Sequence, residues 1–292
     1  MAMSRWTDNF GYGFIVTGTV LCSALIILII LVVGLYSLEG VSRIGIDLFT
    51  LEWNPGRNRF GIIPMLYGSV AVTSIAMLIA VPLGLLAAIF SAEMLPRRLR
   101  NPVKAFLELL AGIPSIIYGL LGIVLLGVWL ADLFDLSSGR VILTGGLLLA
   151  IMVLPTLISL ADDALRNVPD RYRESGKSLG LYPYQVIAKI VLPAARADLT
   201  GAILLALGRA LGETMAVMLV IGGIDRIPQP FVNILSPGQT ITSKLGRELA
   251  EAAFGSLHFS ALITMGLILL VSVLLFTGIS LHYFKPQQRL YE

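Results

Sequence analysis

Apolar runs near residues 14–36, 66–90, 105–131, 141–160, 199–224 and 260–283 divide the chain into six greasy stretches parted by short polar segments. A helix needs about 20 residues to cross the hydrocarbon of a bilayer, and each run reaches that scale. Lipid offers no partner to unpaired backbone N–H and C=O groups, so the runs are predicted to be helices. The expectation is an all-α integral membrane protein with one transmembrane domain over 1–292. No low-complexity linker, short-period repeat or soluble domain interrupts the pattern. Polar segments at about 38–64, 132–140 and 225–258 fall on one side of the membrane, and those around 97–104 and 161–198 on the other.

Composition agrees with that reading. Hydrophobic residues make up 57% and charged ones 13%, against roughly 45–50% and 25% in soluble domains. Basic residues orient the chain: about thirteen Lys and Arg lie near Arg5, in Arg97–Lys104, in Arg166–Arg196 and in the C-terminal tail, and about seven lie in the opposite loops with Arg43, Arg140 and Lys244. The bias places both termini in the cytoplasm. The first run has an apolar core too long for a secretory signal and no small-residue cleavage site before Leu38-Glu39-Gly40, so it is expected to remain as a helix. Its Cys22 is the single cysteine, which rules out an intrachain disulfide. His258 and His282 are too far apart to suggest a metal site. The pI near 9.1 reflects membrane orientation and not nucleic-acid binding, because the basic excess obeys the inside bias.

Several spans carry helix-disturbing residues, namely Pro82, Gly112-Ile113-Pro114-Ser115 and Pro155. Proline frees a carbonyl, which membranes tolerate beside a neighbouring helix or a watery path. In segment 225–258, breakers at Pro228-Gln229-Pro230 and Ser236-Pro237-Gly238 precede a short helix that Thr240 or Thr242 would cap. Leu245, Leu249, Ala252 and Ala253 would share one face, with Lys244, Arg247, Glu248 and Glu251 elsewhere. Such a helix either rests on the bilayer surface or serves as a contact or gate element facing an external partner.

The fifth run places Arg209 and Glu213 near mid-membrane. A charge at that depth costs at least ~2.5–3.5 kcal/mol, so both should face the protein interior or water. Spaced i, i+4, they would share one helix face and touch, flanked by Gly212 and Thr214. Two readings stand. The pair neutralises itself and pins helices together, or the planar fork of Arg209 meets a passing oxyanion while Glu213 accepts a hydrogen bond from its proton. Phosphate keeps a proton near neutral pH and sulfate does not, so the second reading favours phosphate.

The polar segment 161–198 holds a charged island, Arg171-Tyr-Arg-Glu-Ser-Gly-Lys-Ser-Leu-Gly180, followed by Ile190-Val-Leu-Pro193. It predicts two short helices, one after Pro169 and one from Tyr182-Pro183-Tyr184 to Pro193, joined by a bend at Gly180. Gly176-Lys177-Ser178 has the ending of a phosphate-binding loop, yet Arg171 stands where that motif needs its first glycine and no strand precedes it. The chain is therefore expected to hold no nucleotide, metal or other cofactor of its own.

Glu174, Gly180 six residues on, then Ile190 and Leu192-Pro193 closely resemble the cytoplasmic motif of ABC importer permeases, which reads Glu-Ala-Ala, three residues, Gly, nine residues, Ile, one residue, Leu-Pro. Ser175-Gly176 replaces Ala-Ala, and a glycine weakens a helix by about 1 kcal/mol relative to alanine. Trp53-Asn-Pro55, Phe60-Gly-Ile-Ile-Pro64, Tyr67-Gly-Ser69, Ala80-Val-Pro-Leu-Gly84, Leu110-Ala-Gly-Ile-Pro-Ser115, Tyr118-Gly119 and Gly208-Arg-Ala-Leu-Gly-Glu-Thr-Met-Ala216 narrow the resemblance to phosphate ABC importer permeases of the PstC type, over most of the chain.

That resemblance implies a six-helix type I ABC importer permease fold in a plasma (inner) membrane. It also implies a heterodimeric pore with a PstA-like permease subunit, a dimeric ABC ATPase that binds ATP and magnesium, and an external phosphate-binding protein. Glu174, Gly180, Leu181, Tyr182, Ile190 and Pro193 would contact the ATPase, and Arg209, Glu213 and Thr214 would line or gate the path. A permease for sulfate or molybdate fits the same motifs. An ion-driven secondary transporter would explain the buried charges but not the elbow, and a scaffold or sensor would explain the elbow but not Arg209.

Overall fold

The computed structural model describes residues 2–283, so the basic C-terminal tail of the charge argument lies outside the described residues. Six apolar helices long enough to cross a bilayer are present, at Ile15–Phe49, Ile63–Met94, Ser115–Phe134, Ile142–Arg166, Pro183–Gly212 and Leu257–Gly278. In chain order the helices are α1 (Ala2–Ile44), α2 (Ile63–Ile89), α3 (Arg97–Ala111), α4 (Ser115–Leu121), α5 (Val128–Phe134) and α6 (Ile142–Arg166). They continue with α7 (Asp170–Ser178), α8 (Pro183–Val186), α9 (Leu192–Gly212), α10 (Met215–Val220), α11 (Ile241–Glu248) and α12 (Leu257–Tyr283). The only sheet among the described residues is a two-stranded hairpin pairing β1 (Trp53–Asn54) with β2 (Arg59–Phe60), Trp53 opposite Phe60.

The core lies between α2, α6 and α9. Ala76, Ala80, Gly84 and Ala88 recur every fourth residue along α2, giving one small-residue stripe against which α6 packs Leu149, Val153 and Leu157. In lipid, close backbone approach of this kind replaces the hydrophobic effect as the attraction between helices. At Gly84 a Cβ would stand 2.7 Å from Leu157 Cδ2, and at Gly146 one would stand 2.5 Å from Ile75 Cγ2. Ala195, Leu199, Ala202, Ala206 and Ala210 complete the core from α9. By contrast α1 packs chiefly on α12, where Gly40 comes up against Ser260 and Thr264, and its apolar residues from Ile15 to Leu31 are exposed.

Three sequence expectations need correction. The third apolar run, read as 105–131, is not one helix. It begins at Ser115, because Pro114 has no N–H to continue the preceding helix and disfavours helical backbone at Ile113; Pro114 itself stands extended at ψ 132°. What precedes it is α3, a separate amphipathic helix whose Lys104 pairs with Asp163 of α6 at 2.5 Å. The fifth run, read as 199–224, ends at Gly212, and Glu213 turns out of the helix at ψ 124° before α10 starts. The same span also starts earlier. The second elbow helix, expected to stop at Pro193, runs without a break from α8 into α9, with Pro193 in its interior. A wide π turn over Ile187–Val191 precedes it and gives the ring room. Pro82 and Pro155 remain inside α2 and α6.

The loops sort to two ends as the charge pattern predicts. Ile44, Leu48, Trp53, Phe60, Ile62 and Met65 pack with Ile241, Leu262 and Met265, joining segment 38–64 to α11 and α12. The turn at 132–140 meets the same end, with Ile142 N–H donating to the Ser236 carbonyl and Leu143 N–H to that of Ile234. At the opposite end, α3 and the elbow meet the ends of α2 and α6.

Candidate transport path and coupling elbow

Local chemistry shapes the elbow. α7 closes with Gly180 at φ +79°, the Leu181 N–H donating to the Gly176 carbonyl at 3.1 Å and the Gly180 N–H to Lys177 at 2.9 Å. This pair of bonds is the Schellman ending, which asks for a residue in the left-handed region where only glycine is unstrained. Leu179, Tyr182 and Tyr184 are left 80%, 65% and 66% exposed at the tip, and the two tyrosine rings stack 6.1 Å apart. Glu174 is exposed on the outer face of α7, Leu181 and Ile190 are half-buried, and Pro193 is exposed.

The departure at Gly176 has a structural reason. Gly176 is buried, and a Cβ there would stand 2.6 Å from Ile190 Cδ1 and 3.2 Å from Val186 Cγ2. Lacking a methyl, α7 lies directly on Ile190, so packing offsets the weak helix propensity of glycine.

Arg173, which the sequence reading passed over, anchors the elbow. Its Nη2 reaches Glu93 Oε1 at 2.8 Å and the Leu165 carbonyl at 2.8 Å, and its Nη1 donates to the Val168 carbonyl at 2.5 Å. One side chain thus ties α7 to the end of α2 and to the last carbonyls of α6. Both members of the pair are 15% or less exposed. Removing one partner of such a pair strands the other charge and costs about 3–5 kcal/mol. Arg173→Ala is accordingly expected to lower the thermal unfolding temperature of the detergent-purified protein markedly, whereas Lys177→Ala on the exposed side of α7 leaves it within error.

The Arg209–Glu213 contact expected from i, i+4 spacing does not form, because Glu213 has left the helix. Arg209 instead donates from Nη1 to Thr156 Oγ1 at 3.0 Å and from Nη2 to the Ala111 carbonyl at 3.2 Å. It thereby links α9 to α6 and to the end of α3, just before the Gly112–Pro114 break. Glu213 Oε1 accepts the Ala216 N–H at 3.1 Å and so caps α10. Its other oxygen has no hydrogen bond among the described residues, and Thr214 donates to the Gly212 carbonyl at 3.3 Å. Arg209, Glu213 and Thr214 are all half-buried, with Gly212 and Met215 exposed beside them. Two interrupted helices therefore bring a guanidinium and a carboxylate to one partly open region without neutralising each other. The sequence signal for Thr156 was a hydroxyl one residue past Pro155 in the apolar run Ile151–Leu160.

α11 does not rest on the bilayer. Thr240 is its cap, exchanging bonds with Ser243 at 3.1 Å each way, and Ile241, Thr242, Ser243 and Lys244 are buried. Ile241 N–H donates to Ser69 Oγ of α2 at 2.9 Å, and Thr242 Oγ1 donates to the Glu213 carbonyl at 2.7 Å. Lys244, expected on a polar face, sits between Asp225 and Glu248 at 2.5 Å from each, with the Trp53 ring 5.0 Å away. Burial pushes the Asp225 carboxyl up, only partly opposed by Lys244. Burial pushes Glu248 up as well, but hydrogen bonds from Lys244, His258 and Trp53, together with the charge of Lys244, outweigh it and hold that carboxyl below its usual range.

The pattern of broken helices, interior charge and projecting elbow defines a membrane transport component, and sequence comparison agrees. The family model described as "Binding-protein-dependent transport system inner membrane component" matches residues 80–289, and the chain belongs to that family. It is similar to the phosphate transport system permease protein PstC of Mesorhizobium japonicum, with 39% identity covering 84% of this chain and 80% of the relative. It is also 36% identical to the probable ABC transporter permease protein YqgH of Bacillus subtilis, covering 82% and 77%. With the probable phosphate transport system permease protein PstC of Methanocaldococcus jannaschii it shares 34%, covering 89% of each chain. Among solved structures, a chain of the inward-facing MetNI methionine ABC transporter aligns with a TM-score of 0.59 at 17% identity, over 77% of this chain and 94% of that one. The resemblance to PstC-type permeases and the all-α, six-helix permease fold expected from the sequence are borne out, and the chain is a multi-pass membrane protein.

Proposed function

We propose that this chain is the transmembrane permease subunit of an ATP-driven importer of inorganic phosphate, forming half of the translocation path beside a second, PstA-like permease subunit. The observation that carries the coupling half of this reading is the elbow, a rigid turn anchored by Arg173 and tipped by exposed Leu179, Tyr182 and Tyr184. Such a knob suits a socket on a soluble ATPase dimer, which would bind ATP and magnesium and do the hydrolysis, leaving this chain non-catalytic. Glu174, Gly180, Leu181, Tyr182, Ile190 and Pro193 form the knob and its support. Closure of the ATPase dimer moves it, and the helix running unbroken from Pro183 to Gly212 carries that movement to the Arg209–Thr214 region. An external phosphate-binding protein delivers the anion to the opposite end, and both termini lie in the cytoplasm.

At the break, Arg209 offers a planar fork of donors that fits an oxyanion, and the open oxygen of Glu213 accepts a hydrogen bond from the proton that phosphate retains. Glu213→Gln replaces an acceptor-only group by an amide that also donates. In uptake assays with competing sulfate, this variant is expected to lose most of the phosphate-over-sulfate preference. An unchanged preference would remove the proton-acceptor role. Inhibition of labelled phosphate uptake by unlabelled phosphate, sulfate and molybdate tests the substrate itself, and phosphate is expected to compete best.

A further inference from the structure

Lys244 has only 3% of its side chain exposed, a placement that costs several kcal/mol unless the charge is paired. Two carboxylates pair it, although Asp225 Oδ1 is buried with no hydrogen bond among the described residues. Asp225 and Glu248 stand 2.5 Å from its Nζ, and Glu248 in turn accepts the Trp53 indole N–H at 3.0 Å and meets His258 Nε2 at 2.9 Å. Trp53 belongs to the outer hairpin, stacked edge-on against Phe60 at 5.3 Å, so the cluster fastens α11 to the outer end of the molecule.

The same short helix is also fastened to the broken span. Thr242 donates to the Glu213 carbonyl at 2.7 Å, and Arg247 Nη2 donates to the Met218 carbonyl of α10 at 2.5 Å. Gly246 lies so near Thr214 that a Cβ there would stand 2.9 Å from Thr214 Cγ2. Thr242, Gly246 and Arg247 thus touch Glu213, Thr214 and Met218 in turn, while Glu248, itself paired with Lys244, bonds to Trp53 of the outer hairpin and Lys244 lies over its ring.

We infer that α11 is a strap that sets the backbone of the Glu213–Thr214 break, and that Lys244 is the positioning residue through which the outer hairpin holds the strap in place. A carbonyl fixed by Thr242 keeps Glu213 turned out of the helix, with its carboxylate on the cap of α10 and clear of Arg209. A displacement of the hairpin reaches the break through a chain of hydrogen-bonded and packed groups, with no need for α9 to deform. The inference rests on reading Arg209–Thr214 as part of the transport path, but its test reads the break directly and does not depend on the cargo.

Amide hydrogen exchange by mass spectrometry, on the assembled transporter in lipid nanodiscs, measures this. In Lys244→Met, amides of Thr214–Met218 are expected to exchange at least tenfold faster while those of Leu149–Ala161 in the core are unchanged. Acceleration confined to 225–258 would overturn the inference. Thr242→Val keeps the side-chain shape and removes only the inner bond. It is expected to speed exchange at the break by a similar factor with the outer cluster unaffected, and no change at the break would overturn the inference even if Lys244→Met unfolds the protein. Because both substitutions interrupt one linkage, the double variant is expected to match the larger single effect. A product of the two factors would mean two independent contacts and would contradict the strap.

Discussion

Arg209→Ala is expected to reduce phosphate transport by about 10²-fold or more in a complex that still assembles. The substitution removes the fork offered to the anion along with the bonds to Thr156 and Ala111; a hydrogen bond to a charged group contributes about 1.5–3 kcal/mol, and each 1.4 kcal/mol is a factor of ten. Arg209→Lys is expected to recover little, because a single ammonium on a flexible stem does not reproduce a fork that spans Thr156 Oγ1 and the Ala111 carbonyl. Thr156→Val separates the two roles left open by the sequence. If Arg209 serves only as a latch between α9 and α6, losing the hydroxyl harms transport about as much as losing half of the latch. If Arg209 meets the anion, Thr156→Val frees donors, and transport falls far less than in Arg209→Ala.

The second large effect is expected at Gly180. Its φ of +79° costs an L-residue roughly 1–2 kcal/mol, and a β-branched side chain is least suited to it. Gly180→Val therefore opens the Schellman ending or shifts the tip carrying Leu179 and Tyr182. Transport is expected to fall more than tenfold while membrane insertion, fixed by the α2–α6–α9 core, is retained. Asn tolerates the left-handed region better than other side chains, so Gly180→Asn should keep most of the activity. Equal loss in both variants would mean that the tip reads the glycine surface itself and not the turn.

Much of this architecture was legible in the chain because the signals are local. Hydropathy alone gave the number of spans, though it misplaced the third and the fifth, since length and composition suffice to detect a span where the solvent is lipid. The elbow was legible for a similar reason: Gly180 and Pro183 set the backbone of a turn whatever surrounds it. The breaks were less so: the disturbing residues at Gly112–Pro114 were visible, but not that the span starts there, and Glu213–Thr214 carried no such signal. Gly112–Pro114 and Glu213–Thr214 lie inside apolar runs, and hydropathy reports what a segment is dissolved in, not whether it stays helical. The i, i+4 argument for Arg209 and Glu213 assumed a continuous helix, and it failed for that reason alone. Arg209's true partners, Thr156 and Ala111, are 53 and 98 residues distant in sequence. Lys244 shows the same limit. On an isolated helix it would face water, and only Glu248 one turn on, together with Asp225 and Trp53 from two other segments, makes its burial tolerable.

Conduction of phosphate under the drive of a partner ATPase can be measured directly. The direct measurement is uptake of radiolabelled phosphate at micromolar concentration in cells lacking their own high-affinity system, supplied with this chain and its partner subunits, with and without an inactivating substitution in the ATPase. Uptake is expected to disappear when ATP hydrolysis is blocked and when Arg209 is replaced by alanine. Uptake persisting without ATP hydrolysis, or a fully assembled complex that moves another oxyanion but not phosphate, would contradict the proposed function.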